Sequence, residues 1–534
     1  MTLRVAGGWV RDKLLGRESN DIDIALDTVP GREFAERVNE YLASTGAPTS
    51  GVGVIQANPE QSKHLETATL RVHGTWLDLV HLRSETYAEG SRIPDAVTFG
   101  SPEQDARRRD LTFNALFYNL HTRCVEDHLG GAGLEDLRAG IARTPLPPMQ
   151  TLLDDPLRAL RAVRLATRLG FSLAPDLQEA ASTPQVHAAL RAKVSRERVG
   201  SEVDGMLHGP HPVGALRTLC RLGLALPVLD VPPSLASSLP VDWHWACLQT
   251  ADTAVTLMAA MPPPGGAGGT AAPAAQASPP SLWLSLEEDP RKWALLASFL
   301  APLRQVQCTP AQGAKANKPH GVVSFIIRES LKLRTKDGDA VARILDACDA
   351  FSALGAADQE APSRATLGRL LRQAKHQWRV AAAIGAANRA PGAVTLSPDG
   401  TPGEGQHQAA MQRLAACREA QAAVTTSAGD VIPGADKQQR APLPASLLPV
   451  AASCDAMVAR CEALGLDGCW EWKPLVSGGE AQKALGMARP GPALGVWLDA
   501  LLTWELDNPG AGKAQALAWL AQARAKGEDA PAAQ

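Results

Sequence analysis

Along the first 140 residues, apolar side chains come in short runs with turn signals between them. Leu3–Ala6, 22–25, Thr67–Val72 and 76–80 carry β-branched or aromatic residues in runs short enough for strands, and 32–43 between them has helical spacing. The mixture predicts a compact α/β domain with a mixed sheet. From about residue 150 the period becomes helical. The stretch 155–169 sets Leu157, Leu160, Val163 and Leu165 among arginines, and 195–207 reads as another helix. Helical patterns at 339–353, 364–388, 409–424, 450–464 and 480–525 predict an all-α body and tail. Pro/Gly/Ala-rich 261–281 and Gly/Pro/Gln/Ala-rich 390–447 show no apolar period and are expected to be disordered insertions or linkers. No fixed-period repeat is present.

Composition sharpens this in a few places. With 534 residues the chain suggests two to four domains, and only 4% of them are aromatic, which favours helices packed with Ala and Leu over a β-sandwich. The net charge of −3 means that any nucleic-acid surface is a local patch. Nine scattered cysteines include no C-x-x-C pair, which argues against structural zinc, and their odd number argues for a reducing compartment. No apolar run reaches the length of a membrane span. Met1 runs almost directly into the first strand, with neither signal nor transit features. The expectation is a cytoplasmic protein, or nuclear and organellar pools if the chain starts downstream of a natural start.

Candidate chemistry begins at the N-terminus. Gly7-Gly8-Trp9-Val10-Arg11-Asp12 follows a strand and opens a helix, where glycines let a backbone approach a phosphate. A strand–Gly-Gly–helix turn alone is more often plain packing. Asp21-Ile22-Asp23-Ile24 changes that balance. On a strand, Asp21 and Asp23 would share a face with Cα atoms about 6–7 Å apart, a spacing suited to bridging divalent cations. Asp78, alone on the apolar strand 76–80, is either a third member of that site or a satisfied structural carboxylate.

Gly7-Gly8-x-Val10-Arg11-Asp12 followed by Asp21-Ile22-Asp23-Ile24-Ala25-Leu26-Asp27 resembles the class II tRNA nucleotidyltransferase and poly(A) polymerase family of the polymerase-β-like superfamily. The resemblance continues through 62–69, 82–87, 108–119 and 154–158, in order and at the family's spacing, over residues 3–205. The wording is most similar to the eukaryotic CCA-adding enzymes. It implies an α/β polymerase-β-like nucleotidyltransferase head followed by all-α neck, body and tail domains. The expected bounds are head 1–140, neck 141–207, body 208–390 with an insertion near 261–281, linker 391–447 and tail 448–534.

The resemblance also implies site residues. Asp21 and Asp23 match the metal-binding pair for two Mg2+ ions, with Asp78 beside them. Gly8 and Arg11 match positions touching the triphosphate. Arg109, Asp110 and Asn114 match a ribose-recognising motif, in which Phe113 stands where the family usually carries Ile. Asp127-His128-Leu129-Gly130-Gly131 resembles a hinge between head and neck, with an ordinary turn as the alternative. Asp155 and Arg158 match base readers, with Asp154 where Glu is usual. Placed at i and i+3 on one helix, they would read the amine and ring acceptor that cytosine and adenine share. Arg161 and Arg164 continue the i+3 series, which precesses around the helix, and match positions near the base and phosphates, with a solvated basic helix as the alternative. Ser195-Arg196-Glu197-Arg198 with Glu202 resembles a structural motif with a Ser N-cap.

The implied activity is template-independent addition of CCA to tRNA from CTP and ATP. Poly(A) polymerase activity is the nearest alternative, and a silent RNA-binding relative is a third. Lys315, Lys318, Lys332 and Arg334 are candidates for the tRNA acceptor stem, against a solvated basic face. Trp470 and Trp472 are expected in the core rather than as stacking platforms.

Overall fold

The computed structural model describes residues 1–55, 67–87, 94–263, 281–308, 320–354, 362–401, 412, 415, 443–487, 489 and 491–525. The described residues divide into two compact units, the first comprising 1–232 with 325–333, and the second the rest.

The first unit opens with β1 (Leu3–Ala6), α1 (Gly8–Leu14), β2 (Asp23–Leu26), α2 (Gly31–Ser44), β3 (Gly53–Ile55), β4 (Thr67–Val72) and β5 (Thr75–His81). The hairpin β6 (Arg83–Tyr87) and β7 (Pro94–Phe99) leads to α3 (Pro102–Arg107), β8 (Leu116–Asn119), β9 (Cys124–Asp127) and α4 (Ala132–Ala139). Seven strands form one mixed sheet in the order β3-β4-β5-β2-β1-β8-β9. Within this sheet, among the described residues, only β2 and β5 run parallel, in a register that places Asp23 opposite Asp78. Alternation along β2 sends Ile24 and Leu26 to one apolar cluster with Leu70 and Leu79, and Ala25 to another with Phe117. The sheet is thus covered on both faces, and the carboxylates sit where β2 begins. The strands expected from the pattern are present, although β2 starts at Asp23, so Asp21 precedes the strand. The turn at Gly130 and Gly131 has positive φ at both glycines and is braced by Asp127, whose carboxylate accepts from the Leu129 and Leu134 N–H groups at 3.0 and 2.9 Å.

After α4 the unit is helical, and α5 (Pro148–Asp154), α6 (Leu157–Leu169) and, further along the chain, α7 (Arg196–Leu207) carry the expected site residues. The single helix expected over 155–169 is broken at its start. Asp155 is extended, with φ −133° and ψ 96°. Pro156 explains this, because its ring disfavours helical backbone in the residue before it. Asp155 therefore lies off the helix face it was expected to share with Arg158. Its carboxylate instead accepts the Leu157 N–H at 3.2 Å, the first N–H of α6. Ser195 does occupy the N-cap position of α7, but its hydroxyl makes no capping bond. Arg196 ties α7 down, donating to the carbonyls of Ser330 (2.7 Å), Pro227 (2.9 Å) and Val228.

In the second unit, Trp378–Ala387 is buried all round and packs among Trp243–Ala260, Thr335–Leu354 and Leu448–Ala463. Its Arg379 is paired with Glu462 at 2.8 Å and Asp467 at 3.1 Å. The low-complexity stretch begins later than expected. Ala390, Val394 and Leu396 are buried, and the Leu396 and Gln307 N–H groups donate to the Pro302 and Pro398 carbonyls at 3.1 and 2.9 Å. Three apolar side chains give 390–401 a packed face that composition hid. Most of 264–280 and 402–442 lies outside the described residues. The pattern at 480–525 resolves into Gly478–Ala484, Pro492–Asp507 and Lys513–Ala525 around Leu485, Trp497, Leu501 and Leu520. No described helix is long and apolar enough to cross a membrane.

Residues 325–333 press against α7 so closely that a Cβ on Gly200 would stand 1.7 Å from the Leu331 carbonyl oxygen. Gly200→Ala should cost about 1–3 kcal/mol by overpacking. Gly214→Ala, whose Cβ would meet only His211 Cβ at 3.8 Å, should instead gain up to about 1 kcal/mol as a better helix former. Denaturant unfolding of the two variants checks both signs.

Candidate active site

Three carboxylates meet at the end of the sheet. Asp21, Asp23 and Asp78 each place an oxygen within 4.8 Å of the others. Parallel pairing brings Asp78 beside Asp23, and the Asp78 N–H donates to the Ile22 carbonyl at 2.9 Å, which fixes the approach to Asp21. Burial and the neighbouring Asp21 charge push the Asp23 carboxyl above its ordinary range, against the opposing pull of Arg109 and Arg83. Burial and Asp21 also raise Asp78. Such a cluster of hard oxygen donors is the chemistry that a divalent cation satisfies.

The glycine turn faces this cluster's strand neighbours. Gly7 has φ 72°, and a Cβ there would stand 2.7 Å from Arg109 Nη1. Only glycine meets both conditions. Arg11, expected to face a triphosphate, is buried and donates to Asp12 (2.8 Å) and to Asn114 Oδ1 (2.6 Å). Asn114 in turn donates to Asp110 Oδ1 at 3.0 Å, and Arg161 donates to Asp110 Oδ2 at 2.7 Å. Glu202 on α7 accepts from Arg164 at 2.6 Å and lies 3.9 Å from Arg161. A continuous polar line thus joins α1, the 110–114 turn, α6 and α7. Burial alone would push the Asp110 carboxyl up, but Arg161 and Asn114 outweigh it and hold it below the ordinary range.

The expected base readers are held from behind. Asp155 pairs with Arg198 at 3.1 Å, while Arg158 donates to the Thr151 hydroxyl and to the Arg108 carbonyl at 2.7 Å. Arg109 is fixed by Asp105 at 2.8 Å, by the Asn114 carbonyl at 3.2 Å and by the Phe117 ring, 5.1 Å from its Cζ. Asp105 is almost wholly buried and holds Arg108 as well, at 2.5 Å. Asp105 was not singled out from sequence, and Arg198 was named only within the structural motif 195–198. The signal for Asp105 was there in its i+3 and i+4 spacing to Arg108 and Arg109 on one helix. Arg198 offered none, because its partner lies 43 residues away.

The RNA candidates fare differently. Lys315 and Lys318 lie outside the described residues, as do 62–66 of the family-like stretch 62–69. Lys332 pairs with Glu329 at 2.9 Å. Arg334 is engaged by Asp289 at 2.6 Å and Asp337 at 3.1 Å, so its charge is met within the chain.

The sheet, the glycine turn and the converging carboxylates define a polymerase-β-like nucleotidyltransferase head. Residues 3–143 match the family model described as the poly A polymerase head domain, and 170–239 that of the probable RNA and SrmB-binding site of polymerase A. The chain is 38% identical over 391 residues to the mitochondrial CCA tRNA nucleotidyltransferase of Saccharomyces cerevisiae, covering 71% of each chain. To that of Candida glabrata it is 36% identical, over 71% of this chain and 73% of the relative. The solved Bacillus stearothermophilus CCA-adding enzyme shares the fold at TM-score 0.56 and 20% identity, over 98% of this chain and 93% of that one. The chain belongs to the family of CCA tRNA nucleotidyltransferases.

The raised carboxyls give a signed prediction. A carboxyl whose pKa is higher in the folded than in the unfolded state costs stability as pH rises through the raised range. In EDTA, Asp23→Asn should therefore melt above the parent at pH 7.5, and the gap should close near pH 4. Mg2+ should raise the melting temperature of the parent and not of the variant. Thermal melts at both pH values check this.

Proposed function

We propose that this enzyme adds C, C and A to tRNA 3′ ends from CTP and ATP without a template, at a site built on Asp21, Asp23 and Asp78. The observation that carries the proposal is the meeting of those three carboxylates in the same unit as the braced pair Asp155 and Arg158. Hard oxygen donors suit Mg2+. Asp21 and Asp23 would hold two such ions, with Asp78 beside them, and the ions would activate the RNA 3′-OH and stabilise the leaving pyrophosphate. Gly8 and the glycine turn leave room for the triphosphate. Arg109, Asp110 and Asn114, fixed to one another, present a polar rim to the ribose, where contact with a 2′-OH separates NTP from dNTP.

Asp155 and Arg158 then select the base. The carboxylate accepts from an exocyclic amine, and the guanidinium donates to the adjacent ring nitrogen. Cytosine and adenine both offer that pair, whereas uracil and guanine offer a carbonyl and an N–H and are rejected. Arg198, 3.1 Å from its carboxylate, holds Asp155 in place. Arg161 and Arg164, tied to Asp110 and Glu202, fix the helix that carries Arg158. The neck 141–207 thus presents the base readers to the head 1–140. We assign 208–390 to the body, 448–534 to the tail, and tRNA contact along its acceptor stem to basic residues that include Lys315, Lys318 and Lys332. Arg334 contributes through the fold.

Incubating the protein with tRNA lacking CCA, CTP, ATP and Mg2+ should yield C, C, A and then a stop. A long A tail made from ATP alone would instead establish poly(A) synthesis. Asp155→Ala should lower kcat/KM for CTP and ATP by roughly 10²-fold, the scale set by losing one preorganised polar group, and should narrow the preference over UTP. Single-nucleotide incorporation measures both.

A further inference from the structure

The second unit contains a pocket of about 520 Å³ between the helix Arg364–Ala374, residues 464–475 and the C-terminal half of Pro492–Asp507. Its size matches small-ligand sites. Three cations border it: Arg364, Arg372 and Lys473. Trp472, expected in the core, is 41% exposed there. The Arg364 Cζ stands 5.8 Å from its ring centroid. Arg372 donates to the Cys469 carbonyl at 2.6 Å and so fixes the turn that presents Trp472.

Two features point to a ligand. Arg364 donates through Nε to the Leu464 carbonyl at 3.2 Å, but its Nη1 is buried and has no hydrogen-bond partner among the described residues. That nitrogen has no open surface, so Arg364 meets the pocket through the rest of its guanidinium, whose charge has no carboxylate within ion-pair distance among the described residues. Glu505, which also lines the pocket, accepts the Leu475 N–H at 3.1 Å through one oxygen, and its second oxygen has no hydrogen-bond partner among the described residues. Burial also holds its carboxyl above the ordinary range. A flat ring face, a cationic rim, an apolar wall and a carboxyl able to meet a base edge together describe the recognition of one nucleotide.

We propose that this pocket binds a single nucleotide, with its base stacked on Trp472 and its phosphate held by Arg364 and Lys473. The nucleotide is either an unpaired residue of the RNA substrate or a free mononucleotide, and the first source rests on the CCA-adding reading above.

The test uses the full chain and the variants Trp472→Ala, Lys473→Ala and Trp472→Phe, all at exposed positions. In one arm, 8-azido-AMP is photocrosslinked and the adduct mapped by mass spectrometry. A site here labels peptides from 464–475 or 502–511, labelling falls in Trp472→Ala, and Trp472→Phe retains it. In the second arm, Kd is measured for tRNA lacking CCA. An RNA nucleotide in the pocket predicts a rise of about tenfold in Trp472→Ala, near the low end for one base–aromatic stack, with KM for CTP unchanged. Labelling with unchanged tRNA Kd assigns the pocket to a free nucleotide. No labelling of these peptides, with unchanged tRNA Kd in a variant that melts like the parent, overturns the proposal. If the parent adds nothing to tRNA, the CCA reading fails, whereas the crosslinking arm still reports on the pocket.

Discussion

The arrangement of the first unit depends on one nearly enclosed carboxylate, Asp110. It accepts from Asn114 on one oxygen and from Arg161 on the other, and Asn114 accepts from Arg11. Three segments far apart in sequence, namely the first helix, the 110–114 turn and α6, are thereby fixed to one point. Buried charge of this kind is weak evidence of stability, because desolvation opposes the attraction. What it does supply is geometry. Removing Asp110 takes away the acceptor that Asn114 and Arg161 share and so unties α6 from the 110–114 turn. The junction ties the helix that follows β1 and the turn that precedes β8 to α6, the helix that carries Arg158.

A second constraint acts in the sheet. Within the mixed sheet only β2 and β5 run parallel, and that pairing puts Asp23 beside Asp78. Burial at this strand end, with the nearby Asp21 charge, raises both carboxyls. The apolar clusters on both faces hold this unfavourable contact in place. Strain of this sort is tolerated at a site where a cation resolves it.

Much of this was legible in the sequence because it is local. Alternation located β1, β4 and β5, and the two-residue spacing of Asp21 and Asp23 pointed to the carboxylate cluster even though Asp21 precedes its strand. Family resemblance supplied the base readers, but their local geometry was misread. Apolar periodicity ran through 155–169, and the effect of Pro156 on the residue before it was not weighed. Other features are non-local and leave no periodic trace. The pairing of Arg198 with Asp155, the engagement of Arg334 by Asp289, and the packing of 390–401 all join segments whose proximity exists only once the chain has folded. Trp472 was misplaced for the opposite reason: a tryptophan beside charged residues looks like core by composition, and only the surrounding turn shows it to be exposed.

The press of residues 325–333 on α7 has a consequence for how the protein is made. Arg196 finds one of its acceptors at Ser330, and Gly200 lies under Leu331. A chain emerging from the ribosome completes α7 long before that strap exists. At about 5–20 residues per second, the catalytic unit waits several seconds with one face of α7 uncovered. The order of synthesis therefore sets a window in which the nascent enzyme has its sheet and its carboxylates but not its last brace, and in which a chaperone or a misfolding contact would find an open surface.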